Sequence, residues 1–213
     1  MNWTESIDIA ITRNSQSRIQ DVNFDTLTFG AEFTDHMLYC DYRDGQWQQP
    51  HIAPYAPFLI DPSAKVFHYG QAIFEGMKAY RADQGSIWLF RPDQNLERFN
   101  KSAVRLAMPE VPAALFMDGL RQLIRIDAEW VKPGVGNSLY IRPFMIATGP
   151  GVIANPSTQY RFMILLSPAK SYYSVEDLKH YAKDAGKSQA AIDSIQAPET
   201  TYSFMAHGVL LQK

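Results

Sequence analysis

The sequence predicts an α+β domain, with two main helices on one side of a mixed or antiparallel sheet. Three observations lead there. Short apolar runs recur in pairs around turn signals, residues 37–42 with 47–52 and Met77–Arg81 with Ile87–Phe90. Two stretches, one from Pro92 and one from about 113 to 130, repeat apolar residues at the helical period. Two longer apolar runs, Ser138–Ala147 and residues 160–166, then follow as strands.

In chain order, residues 1–27 are mixed and polar, with Ile7, Ile9 and Ile11 alternating as in a strand. Residues 37–42 form a second strand. Arg43-Asp44-Gly45-Gln46 carries the Asp-Gly signature of a hairpin turn, so residues 47–52 return beside it. Pro50, Pro54, Pro57 and Pro62 mark a loop-rich passage. The centre of the sequence comes next: VFHYGQAIFEGMKAY at 66–80 and LFRPDQNLERF at 89–99. Tyr69, Ile73 and Phe74 recur at helical spacing, so a short helix is expected to carry them on one face, with Gly76 as its C-cap. Glu75 breaks a local rule there, because the negative end of a helix disfavours a carboxylate. Such a residue is either tolerated at the surface or held by a partner such as an arginine.

Pro92 suits the first position of a helix whose inward stripe is Leu96, Phe99, Ala103 and Leu106. Arg98 lies at the edge of that stripe beside Asn95 and Ser102. Its planar fork can reach a phosphate; the alternative is a solvated face shared with Glu97. The second helix buries Phe116, Leu120, Leu123, Ile124 and Trp130, and Lys132-Pro133-Gly134 ends it. In SLYIRPFMIATGPG, residues 138–151, Tyr140 and Arg142 alternate and so share one face of a strand. An arginine on an apolar strand needs a partner, either a carboxylate of the protein or one from a substrate. From Ser167 the character changes. SPAKSYYS reads as a compact linker, and Ser174 can cap a helix running to about Ala185 that Gly186 stops.

Composition narrows the function. The chain has 213 residues, 46% of them hydrophobic and 20% charged, enough for a core. Its net charge of −2 offers no cationic face for nucleic acid. The single cysteine, Cys40, excludes an intrachain disulfide, fits a reducing compartment, and sits in an apolar run as a buried strand residue. No stretch approaches the ~20 apolar residues of a membrane span, and the first residues do not form a secretory signal. These features suggest a soluble, cytoplasmic protein.

Three motifs stand in order: FGAEFTDHM at 29–37, FHYGQAIFEGMKAY with LFRPDQNLERF, and SLYIRP at 138–143. Together they closely resemble the N-terminal half of branched-chain amino-acid aminotransferases. Those are pyridoxal-phosphate enzymes whose fold type is shared with D-amino-acid aminotransferase and aminodeoxychorismate lyase. The resemblance runs from about Asp8 to Tyr173. It implies that Arg98 holds the cofactor phosphate. It implies that Phe29, Phe74 and Tyr140 wall the pocket for a branched side chain, and that Arg142 helps accept a second carboxylate. Tyr69 would reach the substrate site of the other subunit of a homodimer. Val152, in the loop 151–154, would be an apolar contact between domains or subunits. The implied substrates are leucine, isoleucine and valine, which pass their amino group to 2-oxoglutarate by way of pyridoxal 5'-phosphate.

The resemblance divides the chain into an aminotransferase small domain at 1–166, a linker at 167–173 and a divergent, partly helical tail at 174–213. The family's cofactor-bearing lysine lies in a later segment of GGNY type, and Lys179, Lys183, Lys187 and Lys213 lack that context. The expectation is therefore the N-terminal part of a transaminase, of doubtful activity alone. Two other readings stay open: a non-catalytic dimerisation module, and a related D-amino-acid aminotransferase or lyase.

Overall fold

The computed structural model describes residues 7–134, 136–170, 175–194 and 208–211. Strand β1 (Ala10–Ile11) is all that forms of the alternating isoleucine run. Strand β2 (His36–Arg43) buries Leu38 and Cys40 on one face and leaves Tyr39 and Asp41 half-buried on the other. The expected hairpin follows. Asp44 and Gly45 have φ of 54° and 76°, the two left-handed positions that a tight turn of this twist requires. Strand β3 (Gln46–Trp47) then pairs back on β2. The return run expected over 47–52 is split, because Pro50 has no N–H to give a ladder. Pairing resumes at β4 (His51–Pro54), antiparallel to β2 and parallel to β1.

The helix expected to carry Tyr69, Ile73 and Phe74 does not form. Helix α1 (Lys65–Tyr69) ends at Gly70, whose φ of 60° turns the chain out of the helix. Gly70, and not Gly76, is the cap. Strand β5 (Ala72–Phe74) follows directly, and extension separates the three residues: Ile73 is buried, while Tyr69 and Phe74 are exposed. The next hairpin matches its expectation, β6 (Met77–Arg81) pairing with β7 (Ile87–Phe90). Helix α2 (Pro92–Arg105) opens on its proline. Helix α3 (Ala113–Ile126) is shorter than expected. It gives way at Asp127 to a 3-10 turn, Ala128–Trp130.

Strand β8 (Ser138–Ala147) pairs along its whole length with β9 (Tyr160–Ala169), which runs past its expected end at residue 166. Helices α4 (Val175–Asp184) and α5 (Gln189–Asp193) follow, with Gly186 at φ 68° after the first and the Ser188 hydroxyl capping the second. The expected cap of α4, Ser174, lies outside the described residues, as does Lys213. Strand β10 (Gly208–Leu211), which the sequence did not suggest, pairs antiparallel with β7. The sheet order is β1-β4-β2-β9-β8-β6-β7-β10, with β3 on β2 and β5 on β8.

The sheet is mixed, and α2 and α3 cover one side of it. Phe99 of α2, Phe116 of α3 and Phe162 of β9 pack with ring centroids 5.7–6.1 Å apart and are fully buried. Aromatic rings bury the most area per side chain, so this cluster anchors the helical layer. Strand alternation then turns Tyr140, Arg142, Leu165 and Ser167 to the face opposite α2 and α3. No helix among the described residues is long and apolar enough to cross a membrane.

Candidate functional site

Two cavities lie against that face. Register sets the first: Tyr140 stands opposite Ser167, and Arg142 opposite Leu165. With Phe29, Phe33, Phe74 and Phe144 these side chains line a cavity of about 400 Å³. Phe29 meets the Tyr140 ring edge-on, centroids 4.8 Å apart. The Arg142 guanidinium lies 4.3 Å from the Phe74 ring centroid and donates from Nε and Nη2 to the Tyr140 hydroxyl, at 3.0 and 2.7 Å. Its partners are thus a phenol oxygen and two π-faces, so its charge is oriented without being neutralised. The intrachain ion pair weighed for Arg142 does not form among the described residues. The cavity suits a small organic acid: an aromatic wall for an aliphatic body and one fixed cation for a carboxylate.

The second cavity, about 370 Å³, is lined by Gly76, Lys78, Tyr80, Phe90, Arg91, Asn95 and Arg98, among others, and by no carboxylate. Arg98 is held side-on by Glu75, Nε to Oε1 at 3.0 Å and Nη2 to Oε2 at 2.9 Å. Asn95 donates to the same carboxylate at 2.8 Å. This pairing pushes the Arg98 guanidinium further up. Glu97, on the same helix, pairs with Lys101 at 2.7 Å. Lys78 is half-buried, and burial pulls its ammonium below its ordinary value. Three cations around one opening, without an acidic lining residue, fit a phosphate group.

Gly76 is the wall between the cavities. A Cβ there would sit 2.6 Å from the Tyr140 hydroxyl, so only glycine allows the tyrosine its present position.

Tyr69 and Val152 line neither cavity. They meet each other, the Tyr69 hydroxyl donating to the Val152 carbonyl. The loop around Val152 is firmly built. Gly151 N–H donates to the Ser63 carbonyl at 3.0 Å and to its hydroxyl at 3.1 Å. Buried Lys65 donates from Nζ to the carbonyls of Ile153 at 3.1 Å and Asn155 at 2.7 Å, and to the Asn155 side chain. Val152 and Ile153 themselves point outward, 63% and 73% exposed.

The FTDHM segment is scaffold. Asn14 N–H donates to His36 Nε2 at 2.8 Å, so Nδ1 carries the proton and donates to Asp127 at 2.7 Å. Burial pushes the Asp127 carboxyl up, against the hydrogen bonds from Thr34 and His36. Burial also pushes Asp35 up, but there hydrogen bonds from Arg18 N–H, Ser17 and Trp130 outweigh it and the carboxyl ends below its usual range. Cys40 is buried, and burial pushes its thiol up to about 12, which leaves it unreactive.

The structure therefore brings Phe29, Phe74, Tyr140 and Arg142 together, puts Arg98 on the next cavity, and sets Tyr69 with Val152 apart from both. Sequence reasoning passed over Lys78, Arg91 and Ser167. For Ser167 the only signal was its place opposite Tyr140, which depends on a register that no local pattern reveals.

No protein-family model matches the chain. Over 155 residues it is 52% identical to branched-chain-amino-acid transaminase 1 of Bacillus subtilis, covering 72% of this chain and 44% of that protein. Over 147 residues it is 52% identical to the branched-chain-amino-acid aminotransferase of Mycolicibacterium smegmatis, covering 68% of this chain and 40% of the relative. The chain thus spans less than half the length of these curated relatives. Among solved structures, the Escherichia coli branched-chain amino acid aminotransferase shares the fold at a TM-score of 0.50 and 22% identity, covering 67% of this chain and 42% of that one. The enzyme of Thermoproteus uzoniensis, solved with norvaline, gives a TM-score of 0.51 at 20% identity, covering 66% of this chain and 43% of that one.

Proposed function

Since this chain belongs, over the residues matched, to the branched-chain aminotransferase family, we propose that it is the N-terminal part of a transaminase. The complete protein would move the amino group of leucine, isoleucine or valine to 2-oxoglutarate. The observation that carries this reading is the pair of cavities on either side of Gly76, one apolar with a fixed cation and one cationic.

In this reading the Arg98 guanidinium, aligned by Glu75 and Asn95, holds the phosphate of pyridoxal 5'-phosphate, with Lys78 and Arg91 adding positive charge. When bound, that cofactor supplies the electron sink for breaking the Cα–H bond. Phe29, Phe74 and Tyr140 exclude water and take the branched side chain, which contributes ~0.8 kcal/mol per buried methylene. Arg142 takes the distal carboxylate when a dicarboxylic oxo-acid replaces the branched substrate. Tyr69 and Val152 present an outward edge suited to the second subunit of a homodimer. The Cα proton needs a base that this chain supplies in no family context, so the remainder of the protein brings it. The amino-acid and oxo-acid substrates and the one buried thiol are consistent with a cytoplasmic enzyme.

The test is an assay of the complete protein with pyridoxal phosphate and 2-oxoglutarate, offering leucine, D-alanine or aminodeoxychorismate. Turnover of leucine is expected. A preference for D-alanine or aminodeoxychorismate overturns the substrate assignment. Failure of the complete protein to retain the cofactor would favour a dimerisation module instead.

A further inference from the structure

Among the described residues, one buried side-chain polar atom has no hydrogen-bond partner, the hydroxyl oxygen of Ser167. The residue is 2% exposed. A buried hydroxyl left unpaired carries an uncompensated desolvation cost, so native structures rarely retain one without cause. Nor is its position arbitrary. Ser167 lines the apolar cavity, directly across the sheet from Tyr140 and one pair along from Arg142. Side chains paired across neighbouring strands have Cβ atoms roughly 4.5–5.5 Å apart, so Ser167 and Tyr140 are direct neighbours on the face that lines this cavity. The other polar groups lining that space, the Tyr140 hydroxyl and the Arg142 guanidinium, bond to each other.

We propose that Ser167 is a specificity-determining residue of this cavity, its hydroxyl donating to the distal carboxylate of a bound dicarboxylic acid beside the Arg142 guanidinium. The proposal rests on the transaminase reading and adds a residue to it. A carboxylate offers two oxygens with about four acceptor sites, enough for a guanidinium and a hydroxyl together. A branched aliphatic side chain offers none. With that ligand the hydroxyl stays unpaired, as it is now. Ser167 therefore favours the dicarboxylic ligand without adding affinity for the aliphatic one. The two substrates must share one cavity, so a contact that discriminates between them sets how readily one replaces the other. A site that pairs with a polar group of one ligand rejects the ligand lacking it, because its own buried polar atom is then left over.

The experiment titrates the complete protein with two probes, glutarate and 4-methylpentanoate, and reads affinity by calorimetry. Three forms are compared: wild type, Ser167→Ala and Arg142→Met. Ser167→Ala is expected to weaken glutarate about tenfold, the worth of one charge-assisted hydrogen bond. It should change 4-methylpentanoate less than about twofold, because only an unpaired group is removed. If Ser167→Ala leaves glutarate within that range, or weakens both acids equally, the assignment of Ser167 is wrong. Arg142→Met tests the underlying reading separately. Loss of glutarate binding there with none in Ser167→Ala removes only the serine. Retention there with loss in Ser167→Ala removes the role of Arg142 and keeps the serine contact. Failure of wild type to bind glutarate at all overturns both.

Discussion

Arg98 and Glu75 face each other fork to fork, with both hydrogen bonds at 3.0 Å or less, across 23 residues of sequence. The geometry holds a guanidinium ready at the rim of a cationic cavity. It also supplies the arginine partner that the sequence suggested for Glu75. The pair contributes little to stability, since the arginine side chain is 58% exposed and solvent screens it. Glu75→Gln should therefore cost no more than about 1 kcal/mol in urea denaturation. The larger effect is on binding. In the complete protein, Arg98→Ala should weaken pyridoxal phosphate far more than Lys101→Ala, measured by equilibrium dialysis. Equal losses would remove Arg98 as the phosphate ligand.

Gly76→Ala tests the wall between the cavities. The new methyl meets the Tyr140 hydroxyl at 2.6 Å, and that hydroxyl is held by two bonds from Arg142, so the tyrosine must turn and release the arginine. We expect a loss of about 1–3 kcal/mol, as for overpacked cores. We also expect the Tyr140 and Arg142 amide resonances to shift together. A thermal midpoint and spectrum like those of wild type would show that the tyrosine has room to yield.

Asp127 supplies a pH test. Burial raises its folded value above that of an unfolded carboxyl. The sign follows from linkage: the folded state binds the proton more tightly, so this group's contribution is fully present below the unfolded value. It is lost as the pH rises through the folded one. Asp127→Asn does not titrate. The stability of the variant relative to wild type should therefore rise as the pH climbs through that range, read from urea midpoints at each pH. A constant difference, or one that shrinks with rising pH, contradicts the assignment.

Lys65 tests the loop that carries Val152. Its ammonium donates to oxygens of Ile153 and Asn155. Lys65→Met keeps most of the volume and removes every donor, leaving carbonyls that face an apolar tip. Amide hydrogen exchange should speed up at least tenfold in residues 151–156 and change little in β2 or α3. Uniform acceleration through the chain would mean that Lys65 supports the whole fold instead.

Strand and helix periods were legible wherever one face is buried: the hairpin at Met77–Arg81 and Ile87–Phe90, the proline start of α2 and the full length of β8 all follow from local pattern. The failures have local causes too. Tyr69, Ile73 and Phe74 have helical spacing, but Gly70 adopts a left-handed turn and pairing with β8 wins the segment for the sheet. Of the site, Arg98, Arg142 and the aromatic residues were singled out through the resemblance of three motifs, while local pattern left each open between a structural and a binding role. Ser167 was not, since a serine at the end of a strand looks like a linker until register places it opposite Tyr140. The tail strand β10 was equally hidden, because an edge partner leaves no trace in the edge it covers.

Phe74, Glu75 and Gly76 are consecutive, and each has a different duty: one stacks on Arg142, one clasps Arg98, one makes way for Tyr140. A single peptide run therefore sets the position of both guanidinium groups. Any ligand bulky enough to push this tripeptide aside would be felt in the neighbouring compartment, and by reciprocity the reverse holds with equal strength. On the proposed assignment, tailoring the side-chain pocket to a larger guest is inseparable from retuning the grip on the anion next door.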